Sequence, residues 1–270
     1  LGGHAQFLEP TKLRLRGGRF IESVEDVAEV MSRYAGGVGI RIHDENVSFF
    51  GEGQEFIKDF AKKTSVPVIN MGSDFCHPCQ GLADLMGLKD HFDDQLKGKK
   101  ILVTWAKGVL ARSRYSVQEI LMISARAGLD ITLAYPEGYE LDSNVIDTVK
   151  KYCKENKTAF GITHDDDLGY KNSSIVYSRN WVSTDAYNGG SFCKEAEIEK
   201  AMSRKYKNWI YSEEKMLKTK NAVFMHPMPV DRDNEVVDSI ASGSNSLIYP
   251  IAENRLHVQK ALLATLMTNG

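Results

Sequence analysis

The chain has 270 residues, 42% of them hydrophobic and 26% charged, which is a composition typical of globular proteins. Its 34 Lys and Arg residues nearly balance 36 Asp and Glu residues, and the formal net charge is −2. This balance gives no reason to expect nucleic acid or an anionic membrane surface as a partner. No apolar run approaches the roughly 20 residues that a membrane span needs. The length fits one large or two ordinary domains.

The first third of the chain alternates between helical and strand patterns. Apolar residues at helical spacing predict helices over 19–35, 53–64 and 78–91. Short apolar runs predict buried strands over 38–42 and 66–70. This alternation indicates a parallel sheet covered by helices.

We place a domain boundary at 97–100, where a Lys- and Gly-rich segment precedes the next strand. A second α/β alternation follows, with strands predicted at 101–105, 130–135, 160, 174–177 and 222–225 and helices at 116–127, 143–155 and 253–268. Segment 178–214 is long, polar and irregular in pattern, which indicates a functional loop. The sequence therefore predicts an α/β fold of two domains, each a parallel sheet flanked by helices.

Four cysteines are present, and two of them, Cys76 and Cys79, have the C-x2-C spacing of some metal and redox sites. No second Cys or His pair accompanies them, so we interpret the cysteines as reduced thiols of a cytoplasmic protein. The acidic run 165–167 is interpreted as a solvated helix start rather than a metal site. The glycines do not form the fingerprint G-x-G-x-x-G, which argues against a nucleotide-binding oxidoreductase.

The most informative segment runs from His77 to Leu85, and it is followed far downstream by His-Pro-Met-Pro at 226–229. Pro78 suits the first position of a helix, where its missing N–H costs nothing. His77 and Gln80 are three residues apart, so both side chains can project from the first turn toward one point. A helix N-terminus with an imidazole and a primary amide suits a small ligand that has a carbonyl and an anionic group.

The run 77–85 resembles the carbamoyl-phosphate motif of the aspartate/ornithine carbamoyltransferase family, and other segments follow in the family's order over essentially the whole chain. The resemblance implies a carbamoyl-phosphate-binding domain, 1–92, rejoined by 253–270, and a second-substrate domain, 93–252. It also implies a homotrimer with sites shared between neighbours, and a reaction without cofactor or metal. The supporting segments are Leu1-Gly2-Gly3-His4, Glu22-Ser23-Val24-Glu25-Asp26, Gly39-Ile40-Arg41, Val66-Pro67-Val68-Ile69-Asn70, Thr104-Trp105-Ala106, Tyr135-Pro136-Glu137-Gly138-Tyr139 and Ala252-Glu253-Asn254-Arg255-Leu256-His257.

Family members carry a Ser-x-Arg-Thr-Arg phosphate-binding motif shortly before the Leu-Gly-Gly segment, and the sequence begins at that segment with Leu1. We interpret the chain as truncated or partly recorded, without the family's first helix, first strand and main phosphate loop. The alternative hypothesis is an inactive relative that has lost the loop and acts as a binding protein.

By matching motif positions, the resemblance implies a set of contacts with carbamoyl phosphate. Arg41 and His77 would be catalytic, with Arg41 on the phosphate or carbonyl oxygen and His77 donating to the carbonyl oxygen. Gln80 would hold the carbamoyl amide, and Arg255 would reach the same ligand. The carbamoyl NH2 group would donate to backbone carbonyls of the later turn, which includes Pro227 and Met228.

The motifs disagree about the amine that accepts the carbamoyl group. Segments 22–26 and 82–85 are similar to ornithine carbamoyltransferases. Segments 104–106 and 135–139 resemble the N-acylornithine branch, which is associated with a knotted second domain, although knots are rare. The His-Pro pair at 226 resembles the aspartate enzymes instead.

We expect transfer to the side-chain amine of ornithine or an N-acylornithine, which gives a citrulline-type product and phosphate within arginine metabolism. The alternative is an aspartate carbamoyltransferase. Candidate residues for the second substrate are Ser183, Asp185 and Asp231.

Overall fold

The computed structural model describes residues 2–8, 23–42, 46–187 and 192–267. Leu1, Glu22 and the first residues of the helix predicted over 19–35 lie outside the described residues. The helices are α1 (Val24–Tyr34), α2 (Glu52–Lys63), α3 (Pro78–His91), α4 (Tyr115–Arg126), α5 (Ser143–Asn156), α6 (Lys194–Ala201), α7 (Glu213–Met216), α8 (Asp238–Ala241) and α9 (Ile248–Met267). The strands are β1 (Val38–Ile40), β2 (Val68–Asn70), β3 (Lys100–Trp105), β4 (Asp130–Ala134), β5 (Phe160–Thr163), β6 (Ile175–Arg179) and β7 (Val223–Met225).

The strands form two sheets, and all their pairings are parallel. β1 pairs with β2, and the other five strands lie in the order β5-β4-β3-β6-β7. In the centre of the larger sheet, Ile101 pairs with Ile131 on one side and Ile175 on the other. β3 and β6 are buried almost throughout, as expected when helices cover both faces of a parallel sheet. The predicted α/β class with parallel sheets flanked by helices is confirmed, and the knot stays a prediction.

The core beside the larger sheet contains a cluster of aromatic rings around Trp105 at the end of β3. Trp105 Nε1 donates to the Trp181 carbonyl over 2.9 Å, and Trp181 Nε1 donates to the Tyr139 carbonyl over 2.8 Å. Both tryptophans are buried. The Thr-Trp-Ala segment thus supplies packing in the described structure, because its indole lies in the core with its N–H already bonded.

Several predicted elements differ from the structure, among them β1, which ends at Ile40 rather than 42, and β2, which begins at Val68 rather than 66. Segment 178–214 contains α6, so its prediction as irregular was wrong there; Glu, Ala and Lys are strong helix formers even without a clear apolar face. β6 extends to Arg179, two residues beyond the predicted strand end. α9 begins at Ile248 rather than near 253, because a proline in the first helical turn interrupts no hydrogen bond.

The C-terminal helix α9 packs closely on α3. A Cβ atom added to Gly87 would lie 2.8 Å from Ile251 Cγ1, so this glycine is needed for the two helices to approach. The contact connects the last helix to the helix that begins beside His77. It agrees with the expected return of 253–270 to the first domain, while the domain division itself stays a prediction.

Candidate active site

The start of α3 brings together two of the predicted site residues. His77 is the N-cap of α3, and Arg41 follows β1 at the carboxyl end of the smaller sheet. Arg41 Nη1 lies 3.3 Å from His77 Nε2 and donates to the Met71 carbonyl over 3.0 Å. Because a guanidinium has no acceptor, Nε2 accepts from it in this arrangement.

A glycine makes room for the Arg41 side chain. Gly72 has φ +132°, and a Cβ atom added there would lie 3.1 Å from Arg41 Nη1 and 3.6 Å from His77 Cγ. A larger residue at this position would strain the backbone and press on the Arg41 guanidinium, while its distance to His77 would be that of an ordinary contact. The approach of Arg41 to His77 therefore depends on this glycine.

Tyr115, the first residue of α4, lies between three cationic or titratable side chains. Its ring is 5.2 Å from the His77 ring in an edge-on arrangement. The guanidinium carbons of Arg41 and Arg179 lie 5.9 and 5.6 Å from the centre of the same ring. The aromatic face thus holds two guanidinium groups near His77.

Gln80 and Arg255 form a second contact one turn into α3. Arg255 Nη1 donates to Gln80 Oε1 over 2.8 Å, and Gln80 Nε2 donates to Asp84 Oδ1 over 2.9 Å. Burial lowers the pKa of Arg255, and the positive charge of Arg41 adds to this effect. Two guanidinium groups close enough to repel each other favour an anion between them.

Three residues at or just before the start of α4 hold the backbone that leads into α3. We name these residues, Ser113, Gln118 and Glu119, the α4 clasp. Ser113 Oγ donates to the Asp74 carbonyl over 3.1 Å, and Gln118 Nε2 donates to the Phe75 carbonyl. Glu119 Oε2 accepts from the His77 N–H over 3.1 Å. The position of His77 therefore depends in part on α4, the helix that follows β3 in the chain.

The His-Pro-Met-Pro turn follows β7 and contains a cis peptide between Met228 and Pro229. His226 is fully buried; its Nδ1 accepts from the Met228 N–H over 3.0 Å, and its Nε2 lies 3.0 Å from Glu235 Oε2. Arg112 Nε lies 3.4 Å from Glu235 Oε1, and Arg112 Nη2 donates to the Pro229 carbonyl. The backbone of this turn is thus fixed from both sides.

The two ionisable groups behind this turn, Glu235 and His226, differ in their charge state. Burial alone would raise the pKa of Glu235, but His226 and the positive charges of Arg112 and Arg179 hold it well below its ordinary value. Burial lowers the pKa of His226, and Glu235 only partly offsets this. The N–H groups of Asn180 and Asp231 also donate to Glu235. We therefore assign an anionic Glu235 and a neutral His226.

The second-substrate candidates fall into two separate clusters. Ser183 is buried and bonded to Asp185, Glu197 and Lys200, and the hydrogen bonds of Asp185 with Lys200 and Ser183 lower its pKa to about 2. Asp185 keeps a side chain that is 53% exposed. Asp231 lies elsewhere, where its Oδ2 accepts from the Val109 N–H over 2.8 Å and holds the loop after β3.

The structure therefore brings some of the predicted site residues together and separates others. Arg41 with His77 and Gln80 with Arg255 form adjacent contacts around the start of α3. Pro227 and Met228 lie on the neighbouring turn, which is connected to the Tyr115 ring through Glu235, Arg112 and Arg179. Ser183 and Asp185 share one cluster, and Asp231 belongs to another.

Sequence reasoning missed Tyr115, Arg179, Arg112 and Glu235 as members of the site. Arg179 ends β6, and ligands of open parallel sheets bind outside the carboxyl ends of the strands. Its position was available as a signal, but the strand was predicted to end too early. Glu235 carried no local signal, because its role depends on contacts with residues distant in the sequence.

The described ranges contain neither a cluster of metal ligands nor a helix that could cross a membrane. Among residues 2–8, 23–42, 46–187 and 192–267, no three His, Cys, Asp or Glu side chains are grouped as ligands of a metal ion. The acidic run 165–167 instead precedes a short 3-10 helix and pairs with lysines: Lys215 Nζ lies 2.9 Å from Asp166 and Lys218 Nζ 2.6 Å from Asp167. Within the same ranges, no helix has both the length and the apolar character to cross a membrane.

The fold and the arginines at the start of α3 define an α/β protein with positive charge clustered at a helix N-terminus. Profiles of the aspartate/ornithine carbamoyltransferase family match the chain, the carbamoyl-P binding domain over 1–90 and the Asp/Orn binding domain over 111–266. The chain belongs to this family, in its ornithine and N-acylornithine branch, and is a carbamoyltransferase.

Individual relatives agree with the family profiles. The N-acetylornithine carbamoyltransferase of Xylella fastidiosa is 33% identical over 278 residues, which cover 98% of this chain and 81% of that protein. The ornithine carbamoyltransferase of Pyrococcus abyssi is 34% identical over 268 residues, which cover 99% of this chain and 76% of that protein. The crystal structure of an acetylornithine transcarbamylase complexed with acetylcitrulline has a TM-score of 0.84 at 33% identity, covering 94% of this chain and 75% of that chain.

Proposed function

We propose that the protein transfers the carbamoyl group of carbamoyl phosphate to the side-chain amine of ornithine or an N-acylornithine, giving a citrulline-type product and phosphate. The observation that carries the proposal is the meeting of Arg41, His77, Gln80 and Arg255 around the first turn of α3. Positive charge, an imidazole and a primary amide at one helix N-terminus match the groups of an acyl phosphate.

In this mechanism, the residues divide between the phosphate, the carbonyl oxygen and the NH2 group of carbamoyl phosphate. Arg41 and Arg255 neutralise the phosphate while the neutral amine nitrogen attacks the carbonyl carbon. The C–O bond to phosphate then breaks, and the leaving phosphate accepts the proton that the amine nitrogen loses. Once Arg41 engages the phosphate, His77 Nε2 can carry a proton and donate to the carbonyl oxygen as negative charge develops on it. Gln80 Oε1 and the backbone carbonyls of Pro227 and Met228 accept from the carbamoyl NH2 group.

The turn that carries the carbonyls of Pro227 and Met228 is held in place before the ligand binds. His226, Glu235 and Arg112 fix the turn from within the protein, so little ordering remains to be done on binding. This pre-organisation supports the role of the turn as an acceptor of the carbamoyl amide.

The second substrate is assigned to the cluster that contains Ser183 and Asp185 and to the separate cluster that contains Asp231. Asp185 has the exposed carboxylate of the three, and it suits an ammonium or amide N–H of the second substrate. The Ser183 hydroxyl holds Asp185 by a hydrogen bond, and Asp231 accepts from the Val109 backbone N–H. The relatives named as N-acetylornithine and ornithine enzymes are 33% and 34% identical, so overall identity favours neither acceptor.

The assembly and location belong to the same proposal. We propose a homotrimer in the cytoplasm, with the 1–92 and 253–270 segments forming one domain and 93–252 the other. Sedimentation equilibrium tests the oligomer directly. A mass of three chains is expected, and a monomer that turns over substrate would contradict sites shared between neighbours.

The function is tested by supplying carbamoyl phosphate with ornithine, N-acetylornithine, N-succinylornithine or aspartate and measuring both ureido product and phosphate. We expect product with at least one ornithine-type amine, and none from His77→Ala under the same conditions. Product with aspartate alone would replace the proposed acceptor class. Binding of carbamoyl phosphate without product from any amine would favour an inactive relative that acts as a binding protein.

A further inference from the structure

Asp84 is a fully buried carboxylate that the mechanism above does not use. It lies one helical turn after Gln80 on α3, and its Oδ1 accepts from Gln80 Nε2 over 2.9 Å. Its Oδ2 is buried without a hydrogen-bond partner in the described part of the chain. An acceptor left in this state destabilises the folded protein, so packing alone does not account for the carboxylate.

The partners of Gln80 determine which way its amide faces. A guanidinium only donates hydrogen bonds, and an ionised carboxylate only accepts them. The atom facing Arg255 is therefore the amide oxygen, and the atom facing Asp84 is the amide nitrogen. The two contacts impose the same orientation from opposite ends of the amide.

We infer that Asp84 is a positioning residue that keeps the Gln80 oxygen turned toward the ligand, so that the site offers an acceptor to the NH2 group of carbamoyl phosphate. The inference rests on the proposed function, because it concerns the ligand's amide. When Arg255 turns to the phosphate, its bond to Gln80 weakens. Asp84 is then the group that prevents the amide from rotating and presenting its own NH2 group to the ligand.

Several charged groups act on Asp84 and must be separated from it in any test. Burial raises the pKa of Asp84 to about 7; Gln80, Arg179 and Arg255 lower it, and Glu119 raises it. Asp84 in turn raises the pKa of the buried Tyr177. Burial also raises the pKa of Glu119 to about 7, although the His77 N–H opposes this. Two carboxyl groups near the site therefore titrate in the same range.

The experiment compares the parent chain, Asp84→Asn and Glu119→Gln. Calorimetry at pH 6 to 9 measures the binding of phosphonoacetamide, in which a methylene replaces the bridging oxygen of carbamoyl phosphate. We expect Asp84→Asn to bind about tenfold more weakly at pH 8, the loss of roughly one hydrogen bond to a charged group. Asparagine can present either an oxygen or an NH2 group to Gln80, so the enforced orientation is lost.

The pH dependence distinguishes positioning from a merely structural role. In the parent chain, affinity should fall as the pH drops through about 7, because protonation removes the negative charge of Asp84. The ratio of parent to Asp84→Asn affinity should therefore fall toward one as the pH drops through about 7, whereas the ratio of parent to Glu119→Gln affinity should not change with pH. Protonation of the ligand is common to all three proteins and cancels in the comparison.

Thermal unfolding at pH 8 gives a second, independent result. Replacing a buried charge by a neutral amide should raise the Tm of Asp84→Asn, by about 2–4 °C for each kcal/mol gained. Unchanged affinity and pH profile in Asp84→Asn, with a lower Tm, would overturn the inference and assign Asp84 to folding. A ratio of parent to Glu119→Gln affinity that falls toward one with falling pH would equally overturn it. Failure of the parent chain to bind the analogue at any pH would instead contradict the proposed function.

Discussion

The chain contains two His-Pro pairs at helix or strand boundaries, and their surroundings differ in kind. The His77 ring contacts the side chains of Arg41 and Tyr115, the second in an edge-on arrangement. His226 is held by the Met228 N–H and by Glu235, which are fixed parts of the fold. The same dipeptide therefore places an imidazole beside a guanidinium in one position and supports the backbone in the other. The partners of the ring, and not the local sequence, make the difference.

The comparison predicts its largest effect for His77→Ala. Turnover should fall at least about a hundredfold, because a donor to the developing oxyanion is lost. The free energy of unfolding should change little beyond the loss of one ring contact. Steady-state kinetics with carbamoyl phosphate, together with urea unfolding, measure both quantities. Unchanged turnover would remove this histidine from the mechanism.

Glu235→Gln tests the second surroundings, the buried ion pair that supports His226 and its turn. Removing one partner of a buried ion pair leaves Arg112 without its countercharge and should cost about 3–5 kcal/mol of stability. The matched control is Glu253→Gln, because Glu253 pairs with His257 over 3.3 Å on the exposed surface of α9. Urea unfolding should show a large loss in the first variant and a small one in the second. Equal losses would contradict the assigned difference between the two pairs.

The pH dependence of stability sharpens the same point. A carboxyl with a depressed pKa stabilises the folded state fully above its ordinary value of 4.5, and this contribution is lost as the pH falls below that value. The parent chain should therefore lose stability more steeply than Glu235→Gln on acidification below pH 4.5. Parallel curves for the two proteins would show that Glu235 does not carry this dependence.

The smallest of these effects is expected for Arg255→Lys. The positive charge is kept, but the planar fork that can reach both Gln80 and a phosphate is lost, and KM for carbamoyl phosphate should rise about tenfold. The kcat should change less, since Lys still neutralises the phosphate. A fall in kcat with constant KM would place Arg255 in the chemical step instead.

The sequence was sufficient for features that depend on local signals. Pro78 at the first helical position fixed the start of α3, and apolar runs located β3 and β4 to within a residue. The resemblance of 252–257 to the family separately indicated that Arg255 reaches the ligand held by Gln80, and the two side chains are in contact. These features depend on spacing within one element or on matching short motifs.

Other features depend on contacts between distant segments and could not be predicted. Asp231 was a candidate for the second substrate, but its carboxylate holds the backbone of Val109, 122 positions away. The sequence around Glu235 does not distinguish it from a surface acidic residue, but in the fold it lies between His226 and Arg112. Burial of a charge is decided by tertiary packing, which no pattern along the chain records.

The α4 clasp has a mechanical consequence. Its three residues bind the main chain of Asp74, Phe75 and His77 and not their side chains. Any motion that pulls α4 away from the start of α3 must rupture three hydrogen bonds, each contributing about 1 kcal/mol. Such a motion would therefore also displace the backbone that carries His77, so the position of its imidazole depends on the contact between α3 and α4.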